Sequence, residues 1–224
     1  MLKGKGLLTP IQRRCLALFA RVADQDRFYL TGGTALAEFF LGHRISFDLD
    51  LFTSEEGLIL PFAQSMEGRF TKEGWGVKVV KRFSTYAEFE LSLEGEELRL
   101  DLALDSPFKL DEPSPCEHGV RVNGYRDLVA EKTLAFYGRT EPRDAVDLYF
   151  ILRQESFGDL LALASHKDPG FDNYWFSVAL NKSEDYPDEL ERWPVKMLVA
   201  FQPSDLKGRF RELAMELMGQ VINP

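Results

Sequence analysis

The chain has 224 residues, of which 45% are hydrophobic and 28% are charged, and its formal net charge is -9 at pH 7. This composition is sufficient for one large domain or two small ones, and it excludes both an intrinsically disordered chain and a protein that coats nucleic acid through its overall field. Two cysteines exclude a disulfide framework, and the lack of a long apolar run or an apolar signal core predicts a cytoplasmic protein that does not enter a membrane.

The first predicted helix begins with a capping box at residues 9–12, TPIQ, in which a threonine precedes a proline at the first helical position. A short strand at residues 27–30 then ends in the TGGT sequence of residues 31–34, and a helical segment follows it. Paired glycines allow a backbone to approach a ligand closely, and the amide groups that open the next helix favour a phosphate. The glycine turn is therefore a candidate phosphate site.

The strand predicted at residues 47–52 carries two carboxylates on one face. Asp48 and Asp50 alternate with apolar residues, which places the two carboxylates about 7 Å apart. Carboxylate oxygens at this spacing suit the shared coordination of hard cations. A phosphate site on one side and two aspartates on the other predict a site for a metal-bound nucleotide.

Each of these two signals is common in structural roles when it occurs alone. A Gly-Gly pair after a strand is usually only a turn, and an Asp-x-Asp sequence is frequent on exposed strand faces. Their order, with His43-Arg44-x-Ser46 between them, makes coincidence a poor explanation. The stretch resembles the nucleotidyltransferase pattern Gly-Gly-[Ser/Thr], a short spacer, then Asp-x-Asp. Its HRISFDLDLF segment is similar to the AbiEii/AbiGii-type toxin branch of the DNA polymerase beta-like nucleotidyltransferase superfamily.

This resemblance implies a site for a nucleoside triphosphate and Mg²⁺, with a two-metal arrangement expected. It implies that Asp48 and Asp50 bind the metal and take part in catalysis. The expected nucleotide-binding residues belong to the glycine turn and to the segment just before the aspartates, and they are Gly32, Gly33, Thr34, Arg44 and Ser46.

Three further strands are predicted at residues 75–82, 86–93 and 98–105. In the third, leucine at every second position forms one face, so the other face is exposed or lines a site. The resemblance implies a third acidic residue on a later strand, and an antiparallel sheet would place Asp101 beside Asp48 and Asp50 as a metal ligand. Asp101 is preferred over Asp105, which lies at the strand end, and the alternative for Asp101 is an ordinary solvated strand face.

Residues 107–115 contain three prolines and are predicted to form a linker. A domain boundary is therefore expected near residue 112, between a nucleotidyltransferase-like core domain at residues 1–112 and a helical C-terminal domain at residues 113–224. The expected fold class is α/β (α+β), with a mixed β-sheet and flanking helices in the first domain. Four aromatic residues of the second domain are expected in its core: Trp175, Phe176, Trp193 and Phe201.

A second group of candidates lies on two predicted helices after that boundary. Lys132 falls in the middle of the apolar face of the helix at residues 125–137, where a lysine is costly without a partner. On the next helix Asp144 and Asp147 share one side, and the plainest interpretation is a structural salt-bridge network. The block resembles the family's second signature, a lysine helix followed by Arg-Asp-x-x-Asp-Leu. This implies that Lys132 and one of the two aspartates belong to the active site, with Asp144 the first choice.

The resemblance implies a nucleotidyltransferase that moves a nucleotide from a nucleoside triphosphate to RNA, with tRNA as an expected acceptor. It further implies the toxin of a toxin–antitoxin system, with a separate antitoxin protein as partner. Residues 121–143 carry five basic and three acidic side chains and are the expected RNA-docking surface. Two alternatives are a degenerate module that binds nucleotide without turnover and a haloacid-dehalogenase-like phosphatase. The phosphatase is disfavoured because Leu51-Phe52 follows Asp50, where that fold normally places threonine or valine one residue after the second aspartate.

Overall fold

A computed structural model describes residues 1–222 of the chain, with side chains through residue 220. The chain divides into two compact units, Met1–Tyr125 and Arg126–Pro224. The predicted boundary near residue 112 lies before the last two strands of the first unit, which join its sheet.

In the first unit, helices and strands are interspersed up to residue 72, and only strands follow after that. Its helices, within the described residues, are α1 (Pro10–Phe19), α2 (Gly32–Ala35) and α3 (Ile59–Lys72). A π-helical turn, Leu36–Leu41, continues α2, and a 3-10 turn, Gln25–Arg27, precedes the first strand. The strands are β1 (Tyr29–Thr31), β2 (Arg44–Ile45), β3 (Leu49–Thr53), β4 (Gly76–Arg82), β5 (Tyr86–Leu93), β6 (Glu96–Leu104), β7 (Ser114–Pro115) and β8 (Arg121–Val122).

Seven of these strands form one mixed sheet in the described part of the chain, in the order β4-β5-β6-β3-β1-β8-β7. Strand β3 pairs antiparallel with β1 and parallel with β6, so the expected antiparallel arrangement of the two aspartate strands is wrong. Helix α3 returns the chain so that β4 runs parallel to β3. The antiparallel pairings β4–β5 and β5–β6 then give β6 the direction of β3. The predicted mixed sheet with flanking helices is confirmed.

One face of this sheet is apolar and contributes to the core of the first unit. Leu98, Leu100 and Leu102 are buried, and so are Phe89 and Leu91 on the paired strand β5. Each fully buried side chain of this kind stabilises the fold by about 1.5–3 kcal/mol. The predicted leucine face of β6 is therefore confirmed, and the opposite face carries the polar groups.

Helix α1 is tied to the loop before β3. The predicted capping box is confirmed, because the Thr9 hydroxyl accepts from the Gln12 backbone N–H and the Gln12 side chain accepts from the Thr9 N–H at 2.9 Å. Gln12 is fully buried, and its Nε2 donates to the Ser46 carbonyl oxygen at 2.9 Å. One side chain therefore both starts the helix and holds the Ser46 backbone.

The second unit consists mainly of helices. Its described elements are α4 (Tyr125–Arg139), α5 (Pro142–Ile151), α6 (Phe157–Lys167), α7 (Asn173–Asn181), β9 (Lys196–Met197) and α8 (Pro203–Ile222), with 3-10 turns at Lys182–Asp185 and Leu190–Arg192. Among the described residues, we find no helix with both the length and the hydropathy that a bilayer crossing requires.

Aromatic side chains fill the core of the second unit. Phe136 and Phe210 are fully buried, with ring centroids 5.4 Å apart. The expectation that Trp175 is a core residue is wrong, because it is 59% exposed while the buried side of α7 runs through Phe176 and Leu180. The other three expected core residues are buried, namely Phe176, Trp193 and Phe201.

Replacing Gln12 by alanine is expected to lower the free energy of unfolding by about 1–3 kcal/mol, because it removes two hydrogen bonds and leaves the part-buried Ser46 carbonyl without this donor. Urea denaturation followed by circular dichroism measures the change. Gln64, which is exposed on α3, provides a matched control, since Gln64→Ala is expected to change stability by less than about 0.5 kcal/mol. Equal losses in the two variants would contradict the role assigned to Gln12.

Candidate active site

The glycine turn is packed directly against the Asp50 side chain. Gly32 has a φ of +69°, a left-handed conformation that favours glycine. A Cβ atom at Gly32 would lie 2.0 Å from Asp50 Oδ2, and Thr31 faces Asp50 in the β1–β3 pairing. Glycine at this position therefore lets the carboxylate approach the backbone of the turn.

The second glycine of the turn lies against two polar side chains. A Cβ atom at Gly33 would lie 2.6 Å from Arg44 Nη2 and 2.9 Å from Ser46 Oγ. Arg44 is 5% exposed, and its Nη1 donates to the Ile45 carbonyl oxygen at 3.2 Å. A guanidinium and a hydroxyl thus converge on the Gly33 backbone, and both are groups that bind phosphate oxygens.

Thr34 and Asn123 hold the segments around the turn. The buried Thr34 hydroxyl donates to the Asp48 carbonyl oxygen and so fixes the loop that carries Asp48. Asn123 Nδ2 donates to Thr31 Oγ1 at 3.1 Å, and the Asn123 N–H donates to the Leu30 carbonyl oxygen at 2.9 Å. Asn123 is not among the site residues predicted from the sequence, because a contact between distant segments leaves no local signal.

Asp50 and Asp101 lie opposite each other on neighbouring strands. They are partners in the parallel β3–β6 pairing, so their side chains project from the same face of the sheet. The prediction that the strands of Asp50 and Asp101 are neighbours is confirmed. The alternative of an ordinary solvated position does not hold for Asp101, which is only 9% exposed. Asp48 lies one residue before β3 and is half-buried.

The Asp101 carboxylate is engaged by a neighbouring arginine. Arg99 donates from Nε to Asp101 Oδ1 at 3.2 Å and from Nη2 to Oδ2 at 2.9 Å. Burial raises the pKa of Asp101 above its ordinary value, and the hydrogen bonds from Arg99 oppose that rise. Within the described residues, no three acidic, histidine or cysteine side chains are gathered closely enough to hold one metal ion. Arg99 is not among the residues predicted for the site, although its position two residues before Asp101 puts both on one strand face.

A further carboxylate, that of Glu88, lies beside Asp101 on the same face. The two residues are partners in the β5–β6 pairing, and Glu88 is largely buried. Lys81 Nζ donates to Glu88 Oε2 at 2.8 Å, and this hydrogen bond lowers the pKa of Glu88 below its ordinary value. Arg99 Nη2 also donates to the Tyr86 hydroxyl at 3.3 Å. These side chains form a connected polar network across β4, β5 and β6.

In the second unit, Lys132 lies between two aspartates whose side chains are fully buried. Its Nζ lies 2.8 Å from Asp147 Oδ2 and 3.5 Å from Asp144 Oδ1. Arg139 also donates to Asp144, from Nε at 2.6 Å and from Nη2 at 3.0 Å. Lys132 and Asp144 are thus brought together in a salt-bridge network that joins α4 and α5, with Asp147 as the closer partner of the lysine.

Replacing Gly32 by alanine is expected to destabilise the fold by roughly 1–3 kcal/mol more than the same replacement at Gly57. Both glycines have a left-handed φ, but a Cβ atom at Gly57 would meet nothing within 4 Å, whereas one at Gly32 overlaps the Asp50 carboxylate. Urea unfolding of the two variants measures the difference. Equal losses of stability would show that the contact between Gly32 and Asp50 is not close in solution.

Replacing Lys132 by methionine is expected to lower the free energy of unfolding by about 3–5 kcal/mol, because it leaves Asp144 and Asp147 buried with less positive charge beside them. Arg143→Met is the control, since Arg143 pairs with the half-exposed Glu141 and an exposed pair contributes at most about 1 kcal/mol. Urea unfolding measures both changes. A neutral effect of Lys132→Met would mean that the buried aspartates do not depend on the lysine.

Comparison with known proteins relates this chain to one enzyme family. The family described as nucleotidyl transferase AbiEii toxin, type IV toxin–antitoxin system, matches residues 14–174. An uncharacterized protein of Aquifex aeolicus is 27% identical over 181 residues, which cover 80% of this chain and 84% of that protein.

Two solved structures share the fold of this chain. JHP933 from Helicobacter pylori has a TM-score of 0.62 and 20% identity, covering 95% of this chain and 94% of that chain. MenT4, a nucleotidyltransferase toxin from Mycobacterium tuberculosis, has a TM-score of 0.65 and 18% identity, covering 93% of this chain and 82% of that chain. Because the family match spans the glycine turn, the aspartate strands and the lysine helix, the chain belongs to the AbiEii toxin family and is a nucleotidyltransferase.

Proposed function

We propose that this nucleotidyltransferase transfers a nucleotide from a nucleoside triphosphate to RNA, with tRNA as the expected acceptor and Mg²⁺ as the cofactor. The observation that carries the proposal is the turn at Gly32 and Gly33, which lies between the Asp50 carboxylate and the side chains of Arg44 and Ser46. A metal-bound triphosphate requires groups that bind phosphate on one side and groups that bind a hard cation on the other.

The phosphate side of the site consists of Arg44, Ser46 and the turn backbone. The planar Arg44 guanidinium is suited to two parallel hydrogen bonds with phosphate oxygens, and Ser46 adds a hydroxyl donor. Gly33 carries no side chain that would keep a phosphate away from its backbone. Thr34 contributes its backbone to the turn and uses its hydroxyl to hold the Asp48 carbonyl oxygen.

Asp48, Asp50 and Asp101 are the residues that would hold Mg²⁺, and their chemistry fits this ion. The three carboxylates would have to draw closer together around it, because no three acidic side chains in the described part of the chain are gathered closely enough to hold one ion. All three supply carboxylate oxygens, which Mg²⁺ prefers, and Asp50 and Asp101 face each other across β3 and β6. Arg99 would have to give up at least one of its hydrogen bonds to Asp101 for the third carboxylate to bind. Mg²⁺ held by these residues would supply activation of the acceptor hydroxyl and compensation for the charge on the leaving pyrophosphate.

The transfer forms a bond between the acceptor hydroxyl oxygen and the α-phosphorus, and it breaks the bond between that phosphorus and the bridging oxygen. Pyrophosphate leaves with the electron pair, and the hydroxyl proton passes to water. Arg44, placed at the glycine turn, compensates part of the negative charge that accumulates on the leaving group.

Lys132 and Asp144 are proposed as further active-site residues because their block resembles the second signature of the family. Their salt bridge supports a positioning role, in which paired charges hold α4 and α5 together. The family is that of a toxin in a type IV toxin–antitoxin system. We therefore expect a separate antitoxin protein to neutralise this chain.

Asp48→Asn and Asp50→Asn are each expected to lower nucleotide transfer by at least about 100-fold while changing stability little. Asparagine keeps the shape of aspartate but lacks the negative charge on which a Mg²⁺ site depends. Incubation with labelled nucleoside triphosphates, Mg²⁺ and total RNA measures the transfer, and urea unfolding of the same samples measures the stability.

The control for this experiment is Asp26→Asn, because Asp26 is exposed and lies outside the site. This variant is expected to keep full transfer activity. If Asp48→Asn and Asp50→Asn both keep full activity as well, the metal site lies elsewhere in the chain. Release of phosphate without any nucleotide transfer by the unmodified chain would favour a phosphatase instead.

A further inference from the structure

An open pocket lies on the polar face of the sheet in the first unit. It has a volume of about 480 Å³ and is lined by Phe47, by Asp48 and by residues of β4, β5 and β6. This volume falls within the range of sites for small ligands, about 300–1,000 Å³. Neither the glycine turn nor Arg44 lines it, so the pocket is distinct from the proposed triphosphate site.

The pocket combines an aromatic ring with two cations. Phe47 lines the pocket and is 55% exposed, so a ligand can reach its ring. The side chains of Lys78 and Arg99 are 70% and 45% exposed and supply positive charge. Proteins bind single-stranded nucleic acid with these elements, because bases stack on aromatic rings while cations contact the phosphates.

The carboxylates of the pocket are partly compensated by the same cations. Glu90 Oε2 lies 2.6 Å from Lys78 Nζ, and Arg99 is paired with the carboxylate of Asp101 in the adjacent site. Glu97 and Asp48 also line the pocket, and under the proposed function Mg²⁺ compensates the charge of Asp48. A phosphate therefore competes with carboxylates for both cations, which suits an acceptor that must dissociate after transfer.

The basic segment at residues 121–143 offers fewer available cations than its composition indicates. The Lys132 side chain is 9% exposed and lies between buried aspartates. Arg139 makes two hydrogen bonds to the buried Asp144. These two of the five basic residues serve the salt-bridge network, whereas Lys78 and Arg99 border the pocket that includes Asp48.

We propose that this pocket binds the terminal nucleotide of a single-stranded RNA acceptor, an assignment that rests on the proposed function. Phe47 stacks on the terminal base, and Lys78 and Arg99 contact the phosphates that precede it. Because Asp48 lines the same pocket, the terminal ribose hydroxyl is brought to the metal-binding end of β3. A single strand is favoured over a duplex because stacking on Phe47 needs a base that is free of its neighbours.

Fluorescence anisotropy with a short, labelled single-stranded RNA tests the role of Phe47 in the full chain with Mg²⁺. Phe47→Ala is expected to weaken RNA binding by about 10-fold, which is typical of the loss of one stacked base. Phe47→Trp keeps an aromatic ring and is expected to retain the affinity. Phe83→Ala is the matched control, since Phe83 is 59% exposed and is not among the lining residues, and it is expected to bind RNA like the unmodified chain.

Calorimetric titration with Mg²⁺ and a non-hydrolysable nucleoside triphosphate, on the same samples, separates this proposal from the proposed function. Weaker RNA binding by Phe47→Ala with unchanged nucleotide affinity supports the pocket. Unchanged RNA affinity in Phe47→Ala overturns the proposal for the pocket, and so does an equal loss of RNA affinity in Phe83→Ala. Neither result contradicts the proposed nucleotide transfer. If the unmodified chain binds nucleotide but no RNA, both the proposed role of the pocket and the assignment of RNA as the acceptor are wrong. Failure of the unmodified chain to bind nucleotide would contradict the proposed function itself.

The salt dependence of RNA binding tests the role of Lys78. Lys78→Gln is expected to reduce the slope of log affinity against log salt by about one, because one phosphate contact is lost. Arg14→Gln is the control, since Arg14 is 52% exposed, pairs with Glu94 and does not line the pocket. An unchanged slope for Lys78→Gln, or the same change in both variants, would remove Lys78 from the proposed contact.

Discussion

The contact between Gly32 and Asp50 is the constraint on which the site of the first unit depends. Strands β1 and β3 pair with Thr31 opposite Asp50, so the turn after β1 begins directly beside a carboxylate. A side chain at Gly32 would occupy the space of Asp50 Oδ2, and one at Gly33 would occupy the space of Arg44 Nη2. Two adjacent glycines therefore allow an anion-binding group and a cation-binding group to approach the same short stretch of backbone.

Hydrogen bonds from three separate segments hold the backbone around this turn. Gln12 on α1 binds the Ser46 carbonyl oxygen, and Thr34 binds that of Asp48. Asn123, just after β8, binds β1 through both its side chain and its backbone. Three of these contacts end on main-chain carbonyl oxygens, and the fourth ends on the Thr31 hydroxyl, so the polar groups of the site are carried by segments that are themselves restrained.

The sequence reveals the features of this site that obey short-range rules. The capping box and the Tyr86–Leu93 strand, whose predicted limits are confirmed, depend on residues only a few positions apart. The parallel direction of β6 depends on pairings between distant strands, which no local pattern records. The pairing of Arg99 with Asp101 follows from their shared strand face. Only Asp101 is predicted as a site residue from the sequence, because a carboxylate is a common metal ligand and an arginine is not. Trp175 shows that an aromatic side chain is exposed when its helix packs through another face.

A crystal structure of the chain with a non-hydrolysable nucleoside triphosphate and Mg²⁺ tests the central claim most directly. We predict that the triphosphate lies on the turn at residues 32–33, with Arg44 and Ser46 within hydrogen-bonding distance of its oxygens. We also predict that Mg²⁺ is coordinated by Asp48 and Asp50. A triphosphate bound away from the turn, with no metal at either aspartate, would contradict the assignment of this site.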